Sequence, residues 1–219
     1  ALMERDGDTL QTIPMTSTGY VRRNAKRAMR QNVHHAFVHS ILPDFEVYTA
    51  LKEAFRGGNT HASRFMAGDI VENVHSADRS SSYPAVMCNC EYPMTQFVPL
   101  LKAELNAGYI SRCINIRHKA MLLRIGIKDL RLRNPYWSCP YLSSDKCRNT
   151  DDVIDTYDNG RIISAHYIET TVTDIDLEII TRQYKGEIIF LQGWYASYKK
   201  LPHSELPRHL SPRKRSYQP

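Results

Sequence analysis

Apolar residues recur every three or four positions along residues 20–37, and this spacing predicts an amphipathic helix. The apolar positions are Val21, Ala25, Ala28, Met29, Val33 and Phe37. Thr16 or Ser17 stands at the start of the segment and can cap it. The polar face is strongly basic, since it carries Arg22, Arg23, Lys26, Arg27 and Arg30. Such a face fits either a phosphate-binding surface or an ordinary solvated one, and the pattern alone leaves both open.

A second helical pattern occupies the stretch FEVYTALKEAF, just before two glycines. The positions that indicate this helix are Phe45, Tyr48, Leu51, Lys52 and Phe55. Gly57 and Gly58 are interpreted either as a helix stop or as a place where another backbone comes close.

The stretch MAGDIVENVHSAD predicts a turn and a strand that ends at Asp78. The apolar residues that indicate the strand are Ile70, Val71 and Val74. Pro84 is predicted to be the first residue of a helix, PAVMCN, because proline is favoured in that position. Asp78 would therefore lie at a strand end, and Tyr83 one residue before a helix.

The second half of the chain alternates apolar and polar residues over long stretches, which predicts strands. MLLRIGIKDLRLR and RIISAHYIETTV both show this pattern, and the second follows a turn at residues 158–160. TDIDLEIITRQY predicts a helix capped by Thr173, with Ile175, Ile179 and Ile180 on one face. EIIFLQGWYASY predicts a strand whose aromatic residues belong to the core: Phe190, Trp194, Tyr195 and Tyr198. An α+β fold follows.

Composition narrows the class of protein. The chain has 219 residues, of which 42% are hydrophobic and 24% charged, and this balance is typical of a globular protein. No apolar run reaches the roughly 18 residues that a membrane span needs, so no membrane partner is expected. Five cysteines at irregular spacing argue against a disulfide framework and favour the reducing cytoplasm. The first residues include no starting methionine and no signal pattern, so we expect an internal piece of a longer protein.

The net charge of +6 indicates an anionic partner, and part of that charge lies at the carboxyl end. Residues 201–219 carry four basic residues against one acid, with four prolines and no apolar periodicity. This range is predicted to be a basic, disordered tail.

The stretch SADRSSSYPAVM, residues 76–87, has the composition of a phosphate site that includes a metal ion. Asp78 would hold a divalent ion, because hard cations prefer carboxylate oxygens. Ser80, Ser81 and Ser82 offer hydroxyls and amides to phosphates near a helix start, and the Tyr83 ring could pack on a sugar. An acid that caps a turn, followed by a core tyrosine, is the simpler alternative for this segment taken alone.

Two motifs together resemble the protein-primed family B DNA polymerases of phages and linear plasmids. The first is Phe55-Arg56-Gly57-Gly58, and the second is the run from Asp78 to Pro84. The resemblance implies that the first motif contacts template DNA. It also implies that Asp78 binds catalytic metals, two Mg²⁺ or Mn²⁺ ions in the complete enzyme, with the backbone carbonyl of Arg79 as a further ligand.

The resemblance further implies a nucleotide site at Ser80, Ser81, Ser82 and Tyr83, in which the tyrosine rejects ribonucleotides. The implied partners are template and primer DNA, deoxynucleoside triphosphates and a terminal protein that acts as primer. The implied location is the cytoplasm of a bacterial host cell. Phe55 replaces the tyrosine of the family's motif. The lysine-bearing motif B and the Asp-Thr-Asp motif C are not found in the sequence, so we expect this chain alone to be inactive.

Four ranges follow from the resemblance. Residues 1–43 would form the end of an exonuclease domain with the basic helix, and residues 44–95 a linker with part of the palm. Residues 96–200 would form the insertion that contacts the terminal protein, since PYLSSDKC and DNGRIISAHYIETTVTDIDLEII resemble it. Residues 201–219 would form the tail.

Two rival interpretations belong to other classes. A zinc module could be assembled from Cys88, Cys90, Cys139, Cys147 and His118, but the spacings lack the paired Cys-x2-Cys knuckles of structural zinc sites. The stronger rival is a catalytically dead module that binds DNA or the terminal protein, which nothing within the sequence excludes.

Overall fold

The computed structural model describes residues 9, 16–31, 34–58, 61, 63, 65, 66, 68–79, 82–157 and 160–200. The chain divides into two compact units, Ala1–Leu42 and Pro43–Pro219. In the described part of the chain, no helix is both long and apolar enough to cross a membrane.

The first unit contains two helices, α1 (Ser17–Gln31) and α2 (His34–Ser40). The hydroxyl of Thr16 accepts a hydrogen bond from the Gly19 amide at 3.1 Å, so the predicted cap is confirmed. The predicted apolar stripe is not continuous, because Phe37 lies in α2 and Val21 is 66% exposed. The side chains of Ala28, Met29 and Val33 lie outside the described residues. Four of the five basic residues that we placed on the helix are exposed: Arg22, Lys26, Arg27 and Arg30.

The second unit is built on an antiparallel sheet. Its described strands are β1 (Glu91–Pro93), β2 (Val98–Pro99), β3 (Lys119–Leu132), β4 (Cys147–Arg148), β5 (Val153–Tyr157), β6 (Arg161–Thr173) and β7 (Tyr184–Lys200). The order is β1-β7-β3-β6-β4, with β2 paired to β7 and β5 to β6. The central strand β3 pairs with both long strands, so Leu122 faces Thr173 on one side and Trp194 on the other. The strands predicted from the alternating segments are confirmed. Of the predicted turn before β6, Asp158 and Asn159 lie outside the described residues.

Helices cover both faces of this sheet, and β3 is consequently buried on both faces. The helices of the second unit are α3 (Phe45–Ala54), α4 (Ser82–Asn89), α5 (Ala107–Asn115) and α6 (Asp174–Gln183), with short 3-10 turns at Lys102–Glu104, Ser144–Lys146 and Thr150–Asp152. Ile110 of α5 and Ile180 of α6 belong to the main core with Leu123 and Ile125. Helices and an antiparallel sheet share one core, which confirms the α+β prediction.

Helix α3 packs on the other face, where Val47, Ala50 and Ala54 bury Leu122 and Trp194. The predicted core position of Trp194 is therefore confirmed. Helix α3 belongs to the predicted range 44–95, whereas Leu122 and Trp194 belong to 96–200. The two ranges contribute to one compact unit, and the boundary at residue 95 stays a prediction.

The predicted helix is confirmed as α3, but most of the residues that indicated it are exposed. Phe45 is 85% exposed and Phe55 is 69% exposed. The glycines are not the helix stop that we considered, because α3 ends at Ala54 and its extended C-cap is Phe55. A side chain on Gly57 or Gly58 would meet no atom within 4 Å among the described residues, so the structure shows no close backbone there either.

The predicted strand before Asp78 is wrong. Residues 69–79 have no regular secondary structure, and Ile70 is 96% exposed. A strand needs a hydrogen-bonding neighbour, and no described strand pairs with this segment. The following helix begins at Ser82, so Pro84 is its third residue and Tyr83 lies within the helix.

The predicted face of α6 also needs correction. Thr173 caps the helix as predicted, through a capping box with Asp176. The buried side chains are Asp176, Leu177 and Ile180, while Ile175 is 60% exposed. The apolar pattern therefore located the helix but misassigned one residue of its packing face.

Candidate functional site

The predicted nucleotide and metal residues lie in an irregular segment and the first turn of α4. Asp78 and Arg79 are exposed, in backbone that is neither helix nor strand. Ser80 and Ser81 lie outside the described residues. Ser82 is half-buried at the helix start, and the Tyr83 ring is 79% exposed. Asp78 and Tyr83 are thus both open to a ligand.

The described residues do not complete a metal site around Asp78. They contain no group of three or more His, Cys, Asp or Glu side chains that could hold an ion. Mg²⁺ demands near-ideal octahedral oxygen coordination, and a single carboxylate meets little of that demand. A metal held at Asp78 would therefore need more ligand side chains than the described residues bring together. The described cysteines Cys90, Cys113, Cys139 and Cys147 form no disulfide with one another, and the Cys88 side chain lies outside the described residues.

The residues of the predicted template motif, 55–58, differ in their exposure to solvent. Phe55, Gly57 and Gly58 are exposed, whereas the Arg56 side chain is only 14% exposed. The Arg56 Nη2 donates to the Thr170 hydroxyl at 3.1 Å, and the guanidinium carbon lies 5.3 Å from the centre of the Tyr141 ring. Arg56 is therefore directed into the protein rather than outward.

Arg56 reaches a polar cluster formed by the start of α6 and the loop before β4. The Arg56 Nε lies 3.9 Å from the Asp176 Oδ1, which accepts a short hydrogen bond from the Tyr141 hydroxyl. Burial raises the pKa of Tyr141 well above its ordinary value, and the hydrogen bond to Asp176 adds to the effect. The tyrosine therefore stays protonated and acts as a donor.

A second polar cluster, centred on Glu53, lies between α3 and the sheet. Its carboxylate accepts hydrogen bonds from the Thr171 hydroxyl at 2.8 Å and from Arg124 at 3.2 Å, and it also pairs with Arg148. Burial alone would raise the Glu53 pKa. The hydrogen bonds from Thr171 and Arg124 and the charges of the two arginines outweigh it and hold that pKa below its usual range.

A cavity of about 160 Å³ lies beside Glu53, lined in part by Arg124, Lys146 and Arg148. This cluster could not be predicted from the sequence, because Glu53, Arg124 and Arg148 lie far apart along the chain and form no recognisable motif. In the described residues, no hydrogen bond or ion pair joins segment 55–58 to residues 78–83. The structure instead links segment 55–58 to β6 and α6.

The sequence model of the family described as DNA polymerase type B, organellar and viral, matches residues 11–201. This range is most of the chain and includes both motifs. The chain belongs to this family of type B DNA polymerases. The family resemblance carried by the two motifs is thereby confirmed, and membership implies a divalent metal as a general feature of the polymerase.

Solved structures with a similar fold are complexes of the Phi29 DNA polymerase. The complex with primer-template DNA has a TM-score of 0.60 at 12% identity, and the match covers 91% of this chain and 31% of that one. The ternary complex with primer-template DNA and incoming nucleotides has a TM-score of 0.55 at 13% identity, covering 81% and 29%. The complex with single-stranded DNA has a TM-score of 0.55 at 12% identity, covering 91% and 30%.

This chain thus spans about 30% of the length of the polymerase chains in these structures. At such low identity the likeness shows a shared fold and no more. No curated protein matches the sequence.

Proposed function

We propose that this chain is part of a protein-primed DNA polymerase that transfers deoxynucleotides to a primer. The observation that carries the proposal is the family match over residues 11–201, within which both motifs occur in the family's order. The Phi29 structures of the same fold hold primer-template DNA and, in one case, incoming nucleotides. These ligands support DNA and deoxynucleoside triphosphates as the partners here.

In the proposed reaction, a primer hydroxyl attacks the α-phosphate of a deoxynucleoside triphosphate. The new bond joins the primer oxygen to the α-phosphorus, the bond to the β-phosphate breaks, and pyrophosphate leaves while the hydroxyl proton is lost. The primer would be a DNA 3′ end or a side-chain hydroxyl of a terminal protein. We assign the terminal-protein contact to residues 96–200 and the template contact to Phe55 and Gly57-Gly58.

Asp78 is the proposed metal ligand, with the Arg79 carbonyl beside it, because it is exposed next to the proposed nucleotide residues Ser80 to Tyr83. Two Mg²⁺ or Mn²⁺ ions in the complete enzyme would stabilise the negative charge that develops on the reacting phosphate. Since the described residues bring no three possible ligand side chains together here, further ligands would come from elsewhere in the polymerase.

The exposed ring of Tyr83 is the proposed gate against ribonucleotides. In the polymerase that contains this chain, Tyr83→Val should lower the preference for deoxy- over ribonucleotides by about tenfold or more, because the ring no longer collides with a 2′-hydroxyl. Tyr83→Phe is the matched control, since it keeps the ring. Incorporation rates with paired deoxy- and ribonucleotides measure the effect. An unchanged preference in the valine variant would remove Tyr83 from this role.

A second candidate is a catalytically dead module that binds DNA or the terminal protein. It is favoured by the incomplete metal site among the described residues and by the exposed basic residues of α1. Nucleotide transfer by the protein that contains this chain distinguishes the two functions, because the dead module binds DNA or the terminal protein without extending a primer.

A further inference from the structure

The direction of Arg56 separates it from its neighbours in the proposed template motif. Phe55 and the two glycines are exposed, and they lie in backbone without helix or strand. The Arg56 side chain, by contrast, is 14% exposed and turned towards β6 and α6. An arginine that binds a DNA phosphate has to present its guanidinium to the solvent side.

Three separate contacts hold the Arg56 guanidinium. One nitrogen donates to the Thr170 hydroxyl at 3.1 Å, and that hydroxyl in turn donates to the Lys146 carbonyl at 2.9 Å. The guanidinium carbon lies 5.3 Å from the centre of the Tyr141 ring, within the range of a cation-π contact. The Nε atom is buried, has no hydrogen bond to any described residue and lies 3.9 Å from the Asp176 carboxylate.

Asp176 is itself firmly held. One carboxylate oxygen accepts from the Thr173 amide at 2.8 Å and the Thr173 hydroxyl at 2.9 Å, and the other accepts from Tyr141. The residue as a whole is 8% exposed. Because the two bonds from Thr173 belong to the α6 cap and do not involve Arg56, the Asp176 carboxylate presents a fixed negative charge to the guanidinium.

We infer that Arg56 is a positioning residue, which fixes Phe55, Gly57 and Gly58 for template DNA by anchoring their segment to α6 and β6. Only the part of this inference that concerns template DNA rests on the proposed function. The anchor couples the proposed template segment to the range proposed to contact the terminal protein, since Thr170, Tyr141 and Asp176 all belong to residues 96–200.

Hydrogen-deuterium exchange of the 219-residue chain tests the anchor without DNA. Arg56→Ala should raise the exchange rate of the peptide that includes residues 55–58 by about tenfold, because the segment opens more often. Asp176→Asn should have a similar effect, and the double variant should add little to either single one. If the first variants fold poorly, Arg56→Lys and Tyr141→Phe replace them, and each should raise the exchange rate of residues 55–58 by a smaller factor. Arg182→Ala, at an exposed arginine, is the control. Exchange at residues 55–58 that stays at the wild-type rate would overturn the proposal.

DNA binding tests the consequence, with a fluorescent primer-template carrying a single-stranded overhang. Arg56→Ala should weaken binding about tenfold, the scale of one lost charge-assisted hydrogen bond, while the slope of log affinity against log salt stays at the wild-type value. Arg27→Ala, at an exposed arginine of α1, should instead lower that slope by about 0.7 to 0.9, as expected for one lost phosphate contact. A slope that falls equally in both variants would make Arg56 a phosphate ligand and refute the positioning role. Absence of DNA binding by the wild-type chain would count against the proposed function, while the exchange result would still decide the anchor.

Discussion

Replacement of Glu53 should destabilise the second unit, and the size of the loss should depend on pH. The Glu53 side chain is 24% exposed and its partner Arg124 is 22% exposed, so their ion pair is partly shielded from water. Glu53→Gln keeps the shape of the side chain but removes the negative charge to which Arg124 and Thr171 donate hydrogen bonds. A hydrogen bond to a charged group contributes about 1.5 to 3 kcal/mol to stability. The glutamine amide of the variant retains part of this contribution. Arg148 adds little, because its side chain is 57% exposed.

We therefore expect Glu53→Gln to lower the free energy of unfolding by about 1 to 2 kcal/mol at pH 7. For a unit of this size, that loss corresponds to a fall of about 2 to 8 °C in Tm. The folded-state pKa of Glu53 lies below its ordinary value of 4.5, so its stabilisation is present above pH 4.5 and is lost as the pH falls through the folded-state pKa. The difference between wild type and variant should consequently shrink on acidification.

The assay is urea unfolding followed by circular dichroism, at pH 7 and at a series of acidic pH values. Glu178→Gln is the matched control, because Glu178 pairs with Arg182 on the surface and its side chain is 60% exposed. It should change stability by less than about 0.5 kcal/mol at any pH. The electrostatic reasoning would be refuted if Glu53→Gln matched wild type at pH 7, or if its deficit stayed constant down to acidic pH.

Three further predictions concern the fold. Thr173→Ala should cost about 1 kcal/mol of unfolding free energy by removing the α6 cap, whereas Thr173→Ser should be near neutral in the same urea assay. Trp194→Ala should cost about 3 to 5 kcal/mol, because this residue is 1% exposed between α3 and the sheet, and a deficit under about 1 kcal/mol would contradict that packing. Burial raises the pKa of the Cys147 thiol to about 11, so Cys147 should react with iodoacetamide far more slowly than the exposed Cys90 at pH 8, as mass spectrometry would show.

The sequence predicted well those elements whose signals are local. The alternation in residues 121–132 identified β3, and Thr173 identified the start of α6, because strand period and helix capping are read from adjacent residues. The assignment to type B polymerases likewise rested on short motifs.

Elements that depend on distant partners were predicted poorly. Ile70, Val71 and Val74 resemble a strand, yet no described strand lies beside them to pair. The inward direction of Arg56 depends on Thr170, 114 residues away, and on a cap formed by Asp176. The Glu53 cluster needs four elements, α3, β3, β4 and β6, that come together only in the folded protein. No pattern within a short stretch of sequence predicts contacts between residues so far apart.

The central claim is that Asp78 lies at the catalytic site of the polymerase that contains this chain. Primer extension with Mg²⁺ or Mn²⁺ tests it directly, with Asp78→Asn compared with Asp69→Asn, an exposed acid of the same irregular segment. We predict that Asp78→Asn lowers the rate of nucleotide transfer by at least about a hundredfold, with primer-template affinity near wild type, and that Asp69→Asn leaves the rate unchanged. Extension by Asp78→Asn at the wild-type rate would contradict the claim.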